Sequence, residues 1–125
     1  MINGIKPNVS NTTKTEKTMK KNGLSFDDAM DNLLLNIQVA YDNWIDNGKT
    51  LDLKLKPGRK FIKVVEGTRV WGFVAKVDGV HKGLPMLKGD ILKAATWRAP
   101  AKHSRGSIFD SEMHKSFSWT GPNYL

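Results

Sequence analysis

The apolar residues of this chain change their period once, at Gly48, and that change limits the available folds more than any other feature. Up to that point they recur at steps of three and four: Phe26, Met30, Leu33, Leu34, Ile37, Tyr41, Trp44 and Ile45. Such spacing lines one face of an α-helix. Ser25 stands at the N-cap position, with Asp28 three residues on and Asp27 beside it near the positive end of the helix. Asn47-Gly48 supplies a stop. Leu35 and Val39 fall outside the stripe, so they mark either a wide packing arc or a surface for a partner.

Beyond Gly48 the period is two. "LDLKL" alternates Leu51, Leu53 and Leu55 with polar neighbours until Pro57-Gly58 breaks it. "KFIKVV" and "RVWGFVAKV" flank Glu66-Gly67-Thr68 and read as a hairpin. Asp78-Gly79 opens a loop that holds His81, Gly83 and Pro85. "GDILKAATW" reads as another strand, and Phe117 to Trp119 as a last one. The expected class is therefore α+β: one long N-terminal amphipathic helix packed on a small, strongly bent antiparallel β-sheet or barrel.

At 125 residues the chain is long enough for one domain. The sequence places that domain at residues 25–125, behind a polar Thr/Asn/Lys-rich segment, 1–24, expected to be a flexible basic arm. Met19, followed by two lysines, has the form of an alternative start. There is no cysteine, which excludes disulfides and thiolate metal sites. No apolar run approaches the ~20 residues that cross a bilayer, and the first residues lack the apolar core of a secretory signal. A cytoplasmic protein is expected, with no membrane partner; oligomeric state is not legible.

Charge is distributed unevenly. Residues 1–24 hold five lysines to one glutamate, 25–52 one lysine to six aspartates, and 53–125 fourteen basic residues to five acids, giving a net charge of +8. An acidic helix thus separates a basic arm from a basic body, a pattern that bears on partners and not on fold.

Catalytic and metal-binding patterns are missing. His81, His103 and His114 stand in presumed loops without the spacing of a metal site. Ser104 beside His103 lacks the context of a nucleophile elbow. Asp78 and Asp90 adjoin glycines, where aspartate favours turns. "KPGRK" lacks the glycine spacing of a phosphate-binding loop. No cofactor, no metal and no enzymatic activity are expected.

What stands out is "ATWRAPAKHSRGSIFD". Lys93, Arg98, Lys102 and Arg105 cluster around Trp97, and Lys60, Lys63 and Arg69 extend the cluster from the preceding hairpin. Were residues 91–97 a strand, Lys93 and Trp97 would share a face. With the chain turning past Pro100, Arg98, Lys102 and Arg105 would project from one loop. Cations neutralise phosphates, and an exposed indole stacks on an unpaired base. The competing reading buries Trp97 in the core and has Arg98 and Arg105 tie loops together.

The segments "KFIKVV", "GDILKAATWRAPAKHSRGSIFD" and "WTGPNYL" resemble a group of small uncharacterised proteins of tailed bacteriophages. That resemblance implies a viral origin and a place in the host cell's cytoplasm, and no activity. The expected function is an accessory protein binding nucleic acid or another polyanion through Lys60, Lys63, Arg69, Lys93, Trp97, Arg98, Lys102 and Arg105. The alternative is a module docking on a host or virion protein.

Overall fold

Ser25 caps the helix as its position predicts: its hydroxyl accepts from the Asp28 amide at 3.2 Å, and α1 runs Phe26–Trp44. The computed structural model describes residues 20–124. Ala29, Met30, Leu33, Ile37 and Tyr41 form the buried stripe of α1. The stripe is narrower at its end than the sequence suggests, because Trp44 and Ile45 are exposed along with Leu35 and Val39.

The remainder is strands: β1 Leu53–Pro57, β2 Phe61–Glu66, β3 Arg69–Ala75, β4 Gly79–His81, β5 Leu84–Met86, β6 Asp90–Ala94, β7 Pro100–Ser107, a 3₁₀ turn Met113–Ser116, then β8 Phe117–Ser118 and β9 Gly121–Pro122. Five of them make one sheet in the order β1-β2-β3-β6-β7, antiparallel throughout. The fold is α+β, and the sheet is open. Gly67, with φ +62°, makes the expected turn between β2 and β3. Val64 pairs with Gly72 and Val65 with Val70, so Trp71 is an extra residue on β3. A bulge of this kind bends its strand.

One face of the sheet meets α1. Leu53, Leu55, Ile62, Val64, Trp71, Val74, Ile91 and Ile108 join the helical stripe there, with Met113 and Phe117. The opposite face is covered too. A hairpin of β4 and β5, turning through Lys82 (φ 51°) and Gly83 (φ 83°), lies over it. His81 Nε2 bonds the Ala101 carbonyl at 2.9 Å, and Lys82 donates to the Pro100 carbonyl. Phe73, Ala75, Met86 and Leu92 are buried outside the helix-side core. That second cover explains why β3 is apolar on both sides. The Asp78-Gly79 stretch, expected to be a loop, is therefore a packing element.

Two further boundaries differ from the sequence expectation. The strand containing "GDILKAATW" ends at Ala94, and the supposed loop after Pro100 is the edge strand β7. Residues 20–24, assigned to the arm, belong to the fold: Lys21 bridges Asp110, and the Asn22 amide donates to the Phe109 carbonyl at 2.8 Å. Residues 1–19, with the Met19 start, lie outside the described residues. No helix among the described residues is long and apolar enough to cross a membrane.

Candidate functional site

Antiparallel register sets one row of side chains across all five strands on the hairpin-covered face: Lys56, Lys63, Phe73, Leu92 and Ser104. The β4–β5 hairpin covers its middle. Its β1–β2 end stays open as a cleft of about 450 Å³ lined by Lys56, Arg59, Lys60, Phe61, Lys63, Phe73 and Arg98. Phe61 and Phe73 meet edge-on with centroids 6.2 Å apart, and Phe61 also abuts the His81 ring at 5.2 Å.

Local chemistry shapes both walls. Pro57 closes β1 on the sheet edge, where its missing N–H is tolerated. The Gly58 amide donates to the Phe61 carbonyl at 2.7 Å, making a tight turn that presents Arg59 and Lys60. Lys76 Nζ donates to the Gly58 carbonyl and holds that turn from behind. On the other wall, Thr96 Oγ1 accepts from the amides of Arg98 and Ala99, and the amides of Ala95 and Thr96 donate to the Ala99 carbonyl. This turn between β6 and β7 carries Trp97 and Arg98. Lys63 Nζ lies 4.5 Å from the Trp97 ring centroid, yet the residue keeps 48% of its surface in solvent. The reading that buries Trp97 is overturned, because the indole sits on a turn and not on a strand.

Among the described residues no carboxylate comes within 4.0 Å of Lys56, Arg59, Lys60, Lys63 or Arg98; the ion pairs are Lys54–Asp52, Arg69–Glu66 and Lys115–Glu112. Five cations thus converge on a partly aromatic hollow without internal counter-ions.

Of the eight residues singled out in the sequence, Lys60, Lys63 and Arg98 line this cleft and Trp97 adjoins it. Lys102 is exposed on β7. The other three point elsewhere. Lys93, expected beside Trp97, donates to the Pro122 carbonyl at 3.0 Å and lies 4.1 Å from the Tyr124 ring. Arg69 pairs with Glu66 and donates to the carbonyls of Thr120 and Trp119. Arg105 donates to the carbonyls of His103 and Asn123. All three bind the backbone of residues 119–123, fastening the C-terminal segment to the sheet. For Arg105 the loop-tying reading holds.

Lys56, Arg59, Phe61 and Phe73 were missed by the sequence. The alternation in "KLKPGRKFIK" puts Lys56 and Lys63 on one face only once the β1–β2 pairing is known.

The arrangement suits anion binding. Among the described residues no carboxylate lines the cleft, and no three His, Asp or Glu side chains converge on a metal-sized site. His81 and His103 are on strands and His114 is in the 3₁₀ turn, not in loops as their sequence context suggests. No curated protein and no solved structure matches the chain. A family model matches residues 6–125, so the chain belongs to that family, described as a family of unknown function (DUF7717).

Proposed function

We propose that this protein binds nucleic acid, or another polyanion, through the cleft between the β1–β2 turn and the β6–β7 turn, without catalysing a reaction. One observation supports the reading: five cations share the cleft, and among the described residues none has an acidic partner there. Like charges brought together repel, and a polyanion relieves that repulsion while releasing its own counter-ions. Lys60, Lys63 and Arg98 would contact phosphates, joined by Lys56 and Arg59. Lys102, exposed on β7, would add long-range attraction. The resemblance to tailed-bacteriophage proteins supports an accessory role in the cytoplasm of an infected cell.

Filter binding of labelled single- and double-stranded DNA and RNA in low salt tests this. Retention should fall with salt along a log–log slope of about −2 to −4, as for three to five neutralised phosphates. No retention of any nucleic acid rejects the nucleic-acid reading.

A second reading, docking on a host or virion protein, rests on Leu35, Val39 and Trp44 of α1, which are 62%, 44% and 63% exposed. Under it, a partner captured from host lysate survives nuclease treatment and is lost with Leu35→Asp, while nucleic-acid retention is unchanged.

A further inference from the structure

We infer that the ligand of this cleft is a single strand, one whose phosphates lie along Arg59, Lys60 and Arg98 while an unpaired base stacks on Trp97 or Phe61. This rests on the anion-binding reading above and adds the form of nucleic acid the site accepts.

Three observations favour a single strand over a duplex. The first is shape. A duplex hides the faces of its bases and offers only groove edges, which proteins reach with a helix or a protruding two-stranded ribbon. Here the cations surround a hollow of about 450 Å³, within the ~300–1,000 Å³ of sites that enclose small-molecule-sized groups. β1 and β2 are no free ribbon, since β2 pairs with β3 along its length.

The second is the helix. α1, the α-helix of the described residues, exposes Asp27, Asp28, Asp31 and Asp42. A surface of that charge is repelled by the phosphates flanking a major groove.

The third is the aromatic surface. Trp97 is half-exposed with Lys63 over one face of its ring, which leaves the other face for a base, and Phe61 is half-buried in the cleft lining. Stacking on such side chains requires a base whose face is free, and it is indifferent to sequence because every base has a π-face. Cations beside aromatics on one sheet face are the combination that single strands need.

Fluorescence-polarisation titrations on the full chain test the inference with four probes of one backbone chemistry: a short single-stranded DNA, its blunt duplex, an abasic strand of equal length, and a mononucleotide. The intact strand should bind about tenfold or more tightly than the abasic strand and the duplex, the gain expected from stacking one base. The mononucleotide should bind far more weakly than the strand. Trp97→Ala should weaken the intact strand about tenfold and leave the abasic strand unchanged, with Trp97→Phe restoring most of the loss.

Equal affinity for duplex, abasic and intact strands, all salt-dependent, would overturn the single-strand assignment while leaving anion binding in place. A mononucleotide binding as tightly as the strand would overturn it in favour of a free-nucleotide site. Failure of all four probes to bind, with no RNA retained on filters either, would remove the nucleic-acid reading itself. The comparison of intact with abasic strand uses only the wild-type chain, so it stands whatever becomes of the variants.

Discussion

Trp71 is buried and Trp97 is not, at 1% and 48% exposed, and the same truncation should separate them. Trp71 fills the bulge of β3, meets Phe117 edge-on at 5.2 Å and donates its indole N–H to the Ser118 carbonyl. Trp71→Ala should cost about 3–5 kcal/mol in urea unfolding, as a large core truncation does. Trp97→Ala forfeits mainly an exposed contact with Lys63 and should cost no more than about 1 kcal/mol. A loss at Trp97 as large as that at Trp71 would place the indole in the core and remove it from any ligand. Lys93 supplies the converse case. Its ammonium bonds the Pro122 carbonyl, so Lys93→Met should lower stability by about 1 kcal/mol and leave anion binding near wild type. Thermal melts paired with the filter assay separate the two effects.

Among the elements, α1 was legible because everything that defines it is local: a cap, an acidic first turn and a 3.6-residue stripe. The β2–β3 hairpin was legible for the same reason, through Gly67. The β4–β5 hairpin was not, because Lys82 is an unusual residue for a positive φ and its three-residue strands carry too little alternation to register. β7 was hidden by "PAKHSRGS", whose polar composition suits a sheet edge as well as a loop. The cleft was half legible. Local sequence grouped Trp97 with Arg98, whereas the pairing of Lys56 with Lys63 and the approach of the two turns are products of register. The turn from β5 into β6 offers a pH test. Asp90 accepts from the Leu87 amide at 3.0 Å, and its pKa is raised above the ordinary 3.8 by burial, with Asp78 adding to the rise and the Leu87 and Ser104 hydrogen bonds opposing it. A carboxyl with a raised folded-state pKa favours its protonated form in the fold. Its stabilising contribution is present below pH 3.8 and is lost as the pH climbs through the folded value. Asp90→Asn keeps an acceptor for Leu87 and cannot ionise, so wild type should lose stability relative to this variant as pH rises from 3.8. Urea titrations of both proteins on either side of that pH check the sign.

For the whole molecule, one cluster of cations and one of carboxylates lie on different faces. The sheet side opposite α1 carries Lys56, Arg59, Lys60, Lys63 and Arg98, while the exposed side of α1 carries aspartates. A net charge of +8 would draw any polyanion toward the chain, so weak retention on its own would say little about a site. Position can be separated from total charge. Lys60→Glu with Arg98→Glu removes as much net charge as Lys115→Glu with Lys102→Glu, and each pair replaces exposed side chains. Lys60 and Arg98 share the cleft, whereas Lys115 sits in the 3₁₀ turn beside Glu112 and Lys102 on the edge strand. If attraction is only a matter of net charge, both double variants should lose affinity equally and flatten their salt slopes equally. If phosphates are held in the cleft, the first pair should lose about tenfold or more and its slope should flatten by about 1 to 2, one phosphate contact per lost cation. The second pair should lose only a few-fold and keep most of the slope. The slope decides, because it counts the cations that touch phosphate and not those that merely lie on the same molecule.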